Sequence, residues 1–323
     1  MVFNQNVNGQ VVDRSSLDRL IGQEKAVNLL RQAVIQKRIA PAYLFSGTGG
    51  IGKSIAACGF AELILDCQAG RTALDKHPDL IWVEPTYSDR GNLLTVAEAA
   101  AQNLKKRNPP QIRVEQIRHL TKFLYRRPLK SDRLVVVIED AHLLSETSAN
   151  ALLKTLEEPG NATLILIAPE SDSLLNTIVS RCQKLRFTPL ASVDLQLVLN
   201  QNNYPEIFAH PELMAMAQGS PGNAIIAWQN LQSISSELIE VLQRIVLQQN
   251  PQNSLEAMIT AKNIIEELDL STQLWLVDYL DHYGWQYGLN SDLAATWEET
   301  KKYLLAYVQP RLVWESVLTG FVV

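Results

Sequence analysis

Eight consecutive residues, Gly47-Thr48-Gly49-Gly50-Ile51-Gly52-Lys53-Ser54, fit the spacing G-x-x-x-x-G-K-[ST]. Glycines at these places let the chain curl until its backbone N–H groups point inward at phosphate oxygens. A helix starting at Lys53 adds its positive N-terminal end to the same spot. Lys53 would reach the β- and γ-phosphates of a nucleotide, and the Ser54 hydroxyl would bind Mg²⁺. The same residues also fit a glycine-rich turn without a ligand, or a phosphate loop that is built but little used.

A second group could cooperate with the first. Leu134 to Ile138 is a continuous, largely β-branched run, the mark of a strand buried on both faces, and it ends in Glu139-Asp140. In ATPases with a phosphate loop, a carboxylate at such a strand end holds Mg²⁺ and the next acidic residue orients the attacking water. The usual order is Asp then Glu. Here it is reversed, so Glu139 falls at the magnesium position and the shorter Asp140 at the water-activating position. One methylene is about 1 Å of reach, and a misplacement of that size costs about 100-fold in rate. A strand-end acidic pair in solvent is the plainer alternative.

Positioning these groups takes a scaffold of alternating strands and helices. Ala42–Ser46 reads as a short strand into the glycine loop, and Lys53–Asp66 as the helix out of it. Strands are also predicted over Leu80–Glu84, Leu134–Ile138, Thr163–Ile167 and Lys184–Phe187, with helices over Ser16–Lys37, Val114–Tyr125 and Thr147–Glu158. Such alternation implies a parallel sheet covered by helices on both faces. From Ser192 onward the pattern is helical, with polar breaks at Gln201–Asn203, Gly219–Asn223 and Asn250-Pro251. The expected division is an α/β domain over 1–188, a small helical domain over 189–234 and a helical bundle over 235–323. The bundle's Trp275, Trp285, Trp297 and Trp314 read as core and interface anchors.

The 323 residues suffice for two or three domains, and 46% hydrophobic with 20% charged residues fits a globular chain. No apolar run approaches a membrane span, and the polar start lacks the apolar core of a signal peptide. Cys58, Cys67 and Cys182 form neither a disulfide framework nor a C-x-x-C pair, so no zinc is expected and the cytoplasm is the expected location. The net charge of −5 favours protein partners over direct wrapping of DNA. Lys105-Lys106-Arg107 and the cluster Arg126, Arg127 and Lys130 could meet phosphate or simply be solvated. His119 and His142 read as structural.

Several runs together carry a resemblance. Val137 to Leu144, then Asn150-Ala151-Leu152-Leu153-Lys154-Thr155-Leu156-Glu157-Glu158-Pro159, then Ser180-Arg181-Cys182, are similar to bacterial clamp-loader subunits, the tau/gamma motor and its delta-prime relative, within the AAA+ ATPases. Leu20-Ile21-Gly22-Gln23 also matches. His77-Pro78-Asp79-Leu80 with Trp82-Val83-Glu84-Pro85 resembles delta-prime in particular. The resemblance spans roughly residues 16 to 225. It implies a P-loop AAA+ domain with a parallel sheet, a helical lid and an all-helical collar. It also implies ATP or ADP with Mg²⁺ as cofactors, with Ile21, Gly22 and Gln23 near the adenine. Arg181 would be an arginine finger for ATP held by a neighbouring subunit.

Departures from the motor pattern refine that expectation. Ala168-Pro169-Glu170 replaces the sensing threonine, and Gly219 to Ala224 lacks the lid arginine. The zinc cysteines are missing apart from Cys67. The resemblance therefore implies a subunit with little or no hydrolysis of its own. It would assemble with the tau/gamma motor subunits and delta, and help place the sliding clamp on primed DNA for the DNA polymerase III holoenzyme, with no membrane role. An active AAA+ ATPase, tau/gamma-like or like a Holliday-junction translocase, is the alternative that the intact Lys53-Ser54 leaves open. A nucleotide-sensing scaffold outside replication is a third reading.

Overall fold

The computed structural model describes residues 15–67, 74, 76–89, 92–102, 109–248, 254–287, 291–306 and 308–320. Lys105 to Arg107 and Asn250-Pro251 lie outside the described residues. The chain divides between Leu190 and Ala191 into two compact units.

The first unit is built on a five-stranded sheet. Its strands are β1 (Ala42–Ser46), β2 (Leu80–Val83), β5 (Leu134–Ile138), β6 (Ala162–Ala168) and β7 (Gln183–Arg186). Their order is β2-β5-β6-β1-β7, and every pairing is parallel. All five residues of β5 and all seven of β6 are buried, as their apolar runs require of central strands covered on both faces. The register lines up Leu44, Leu166 and Ile138 across β1, β6 and β5. The phosphate loop, Pro169 and Glu139 therefore all leave the sheet at the same end.

Helices cover the sheet: α1 (Glu24–Ile35), α2 (Lys53–Leu65), α4 (Val114–Leu124), α5 (Glu146–Glu157) and the short α6 (Asn176–Val179). α2 is buried almost all round, and Phe60 on it meets Tyr43 of β1 edge-on at 5.0 Å. α4 turns Ile117, Leu120 and Phe123 into the core shared with α5. Ser145 caps α5 by accepting the Ser148 N–H at 3.2 Å, a contact worth about 1 kcal/mol.

Two local features differ from the sequence expectation. The helix expected over Ser16–Lys37 is interrupted: a 3₁₀ turn spans Ser16–Arg19, Gly22 takes φ 73°, and only then does α1 begin. The buried Glu62 carboxylate of α2 accepts the Ser16 N–H at 2.7 Å and its hydroxyl at 2.9 Å, which ties the turn to α2. A second, antiparallel pair, β3 (Thr86–Asp89) and β4 (Asn92–Thr95), leads into α3 (Val96–Ala101). Four-residue strands of mixed polarity leave little periodicity to read.

The second unit is helical among its described residues: α7 (Ser192–Gln201), α8 (Pro211–Ala217), α9 (Pro221–Gln232), α10 (Ser236–Gln248), α11 (Ser254–Glu267), α12 (Leu270–Gln286), α13 (Ser291–Leu305) and α14 (Pro310–Gly320). The segment read as a polar break at Gly219–Asn223 is a helix start. Ser220 accepts the Asn223 N–H at 3.1 Å and Pro221 takes the first helical position. Buried Tyr279 of α12 accepts from the Gln243 amide at 2.7 Å and donates to Glu212 of α8 at 3.5 Å. Residues from both 189–234 and 235–323 thus share this one unit. Trp314 and Trp297 are buried, Trp275 partly so, and Trp285 is exposed. No described helix is long and apolar enough to cross a membrane.

Candidate nucleotide site

The loop between β1 and α2 has the backbone its glycines predict. Gly47, Gly50 and Gly52 take φ of 148°, 73° and 99°. A Cβ on Gly47 would stand 2.5 Å from the Phe187 carbonyl oxygen and 2.8 Å from Ile51 Cδ1, so only glycine fits. The loop's entry is tied down on both sides. Gly47 donates its N–H to the Pro169 carbonyl at 2.9 Å, and Phe187 donates to the Ser46 carbonyl at 2.7 Å. Thr48, Gly49 and Gly50 form the exposed crest, while Ile51 is buried beneath it.

Lys53 is buried at the base of the loop, and its ammonium donates to the carbonyls of Gly47 and of Thr48, the latter at 2.6 Å. Burial lowers its pKa, and the carboxylates of Asp140 and Glu139 oppose that shift. The cation thus sits between the loop and the acidic strand end, where a phosphate chain would be neutralised.

The acidic pair lies where the sequence puts it, and its members differ. Glu139 accepts the Ser54 hydroxyl on Oε1 at 2.5 Å and the Trp82 indole N–H on Oε2 at 2.9 Å. Ser54 and Glu139, the two candidate metal-binding groups, are therefore already in contact, and their hard oxygens suit Mg²⁺. Asp140 takes a left-handed conformation with φ 47°. Partial burial of its carboxyl raises its pKa, with Glu139 adding to the shift and His142 and Lys53 opposing it.

Ile21, Gly22 and Gln23 lie on the connection into α1. Gln23 is buried, and its side-chain amide pairs with the Thr188 backbone, donating to the carbonyl at 2.7 Å and accepting the N–H at 3.3 Å. Its side chain is thus committed to closing the unit, which leaves the backbone of this segment for any base.

Arg181 is elsewhere. It follows α6 and precedes β7, and its exposed guanidinium donates to Glu157 at 2.6 Å and to the Thr177 carbonyl at 2.9 Å. The neighbouring Cys182 packs against the core, and burial pushes its thiol up to about 11. The tripeptide therefore turns cysteine inward and arginine outward. Since Gln183 pairs with Tyr43, Arg181 lies at the start of the strands and the phosphate loop at their end. The four residue steps from Tyr43 to Gly47 alone span about 13 Å.

Two residues with no assigned role in the sequence reading matter here. Trp82 orients Glu139, as described. Asp79, fully buried, accepts the N–H groups of Leu129, Lys130 and Ser131 and the Ser131 hydroxyl. It fixes the loop that exposes Arg126, Arg127 and Lys130, at the edge of the sheet opposite the phosphate loop. The signal for Asp79 is a charge directly before an apolar strand.

Comparison with known families accounts for both units. Residues 22–191 match the model for DNA polymerase III, delta subunit, and residues 193–321 match the C-terminal domain of cyanobacterial DNA polymerase III delta prime. The chain belongs to the delta-prime family of DNA polymerase III subunits. It is 31% identical over 225 residues to DNA polymerase III subunit delta' of Pseudomonas aeruginosa, covering 65% of this chain and 62% of that protein. It is 34% identical over 209 residues to subunit tau/gamma of Haemophilus influenzae, covering 63% of this chain and 28% of that one. The chain thus spans less than two thirds of the length of either relative. A DNA polymerase III gamma subunit-related protein from Thermotoga maritima superposes with a TM-score of 0.55 at 16% identity, over 92% of this chain and 98% of that one. The two chains accordingly share a fold, a parallel-sheet α/β unit followed by helices.

Proposed function

We propose that this chain is a delta-prime-like, non-motor subunit of the replicative clamp loader. It binds ATP or ADP with Mg²⁺ through Gly47–Ser54 and Glu139, turns the nucleotide over little or not at all, and presents Arg181 to ATP on a neighbouring subunit. Its partners are the tau/gamma motor subunits and delta, and through the complex the sliding clamp and primed DNA, in the cytoplasm. Residues 189–234 serve as the lid and 235–323 as the collar that joins the ring.

The observation that carries this reading is the position of Arg181. It lies at the opposite end of the β1–β7 pair from its own phosphate loop, farther than one arginine side chain extends. A guanidinium there serves a site in another chain. Weak turnover follows from the reversed acids: Glu139 is engaged with Ser54 and Trp82, and Asp140 is the shorter carboxylate at the water-activating place.

The test is ATP hydrolysis by a complex reconstituted with tau/gamma and delta, comparing wild type with Arg181→Ala. Loss of the finger lowers turnover at the site it serves by about 10³- to 10⁵-fold, while the chain alone hydrolyses negligibly. Robust hydrolysis by the chain alone, with Arg181→Ala silent in the complex, favours the independent ATPase instead.

A further inference from the structure

Glutamate at the magnesium position carries one more rotatable bond than aspartate, so its carboxylate needs an external restraint. Trp82 supplies one. It sits on β2, in register with Val137 of β5, and its indole N–H reaches Oε2 of Glu139 at 2.9 Å. The other oxygen, Oε1, takes the Ser54 hydroxyl at 2.5 Å. Indole N–H is a donor only. It engages one lone pair of Oε2, restrains the carboxylate's rotation and can never replace a metal ligand.

We propose that Trp82 is a positioning residue of the metal site, holding Glu139 as a one-oxygen ligand and thereby setting a preference for Mg²⁺ over Ca²⁺. The inference rests on the nucleotide-binding reading above and adds a residue and a selectivity to it. Mg²⁺ demands near-octahedral coordination at short distances and takes single carboxylate oxygens, whereas Ca²⁺ accepts carboxylates through both oxygens. A glutamate with Oε2 tied to Trp82 and Oε1 turned to Ser54 is restrained in a pose that favours the first mode. Freed from Trp82, the same side chain can swing and chelate through both oxygens.

The test measures ADP binding by calorimetry on the full chain with Mg²⁺, with Ca²⁺ and with EDTA, for wild type and Trp82→Phe. Phenylalanine keeps an aromatic ring and loses the N–H. The Mg²⁺-dependent gain in ADP affinity falls about tenfold or more, in line with loss of a partner that orients a metal ligand. The Mg²⁺-over-Ca²⁺ ratio shrinks, metal-free ADP affinity stays, and Glu139→Gln makes the Trp82 substitution silent. A Trp82→Phe chain with unchanged metal dependence and selectivity overturns the positioning role and leaves nucleotide binding standing. A wild-type chain that binds no ADP under any condition overturns both. The assigned indole ¹H–¹⁵N resonance of Trp82 in the wild-type chain gives a readout independent of the variant's folding. It moves on adding Mg²⁺ with ADP and not on adding ADP with EDTA, and an indifferent resonance overturns the proposal.

Discussion

Asp79 accepts the backbone N–H of Leu129 at 2.6 Å across 50 positions of sequence. Burial alone would raise its pKa, but the N–H groups of Leu129, Lys130 and Ser131 and the Ser131 hydroxyl outweigh it and hold the carboxyl at about 2 against an ordinary 3.8. A depressed carboxyl stabilises the folded chain above its unfolded pKa and loses that contribution as pH falls through the folded value. The window here runs from about pH 4 down to about pH 2, and the contribution is about 2 kcal/mol. Asp79→Asn should lower the urea midpoint at pH 7 and flatten its decline over that window. A variant whose acid limb matches wild type would show that the carboxylate does not carry this dependence.

Gly59 is where α2 presses on the 3₁₀ turn: a Cβ there would stand 2.5 Å from the Leu17 backbone nitrogen and 2.7 Å from Leu17 Cγ. Backbone cannot move aside as a side-chain tip can. Gly59→Ala should therefore cost about 1–3 kcal/mol in equilibrium unfolding. Gly160, with φ 62° and nothing within 4 Å of an added Cβ, provides the contrast. Its alanine variant suffers only the left-handed backbone penalty of about 1–2 kcal/mol.

The Arg181–Glu157 pair is exposed, with side chains 36% and 52% accessible. Exposed pairs contribute at most about 1 kcal/mol. Arg181→Ala and Glu157→Gln should each leave the thermal midpoint of the isolated chain within a few degrees of wild type. A collapse in stability would mean that Arg181 holds the fold together rather than serving a neighbour.

Lys53→Met removes a buried cation that donates to two loop carbonyls and lies beside Glu139 and Asp140. Charge-assisted hydrogen bonds to phosphate are worth about 1.5–3 kcal/mol, so ADP affinity should fall about 10- to 100-fold by calorimetry. An unaltered affinity would place the phosphates elsewhere.

The phosphate loop and the central strands were readable because each is a local pattern. Gly47 to Ser54 is contiguous, and Leu134 to Ile138 carries its burial in its own composition. The contacts that finish the site are long-range and leave no local trace. Trp82 meets Glu139 across 57 positions and Gln23 meets Thr188 across 165. The expectation that Ile21 to Gln23 meet the adenine concerns their backbone, and no local pattern foretells that the Gln23 side chain closes on the Thr188 backbone. The β3–β4 hairpin leaves no readable pattern because its strands are short and not uniformly apolar.

The strand order β2-β5-β6-β1-β7 has a consequence for the ribosome. β1 is synthesised first, yet both its neighbours, β6 and β7, come late in the chain. At about 5–20 residues per second, the 116 residues from Ser46 to Ala162 take roughly 6 to 23 s to appear. For that interval the first strand, with the glycine loop at its tip, has no partner in the sheet. Nascent chains of this protein should therefore bind nucleotide only after β6 has emerged, and until then Ala42 to Ser46 is an unpaired apolar edge within reach of a chaperone.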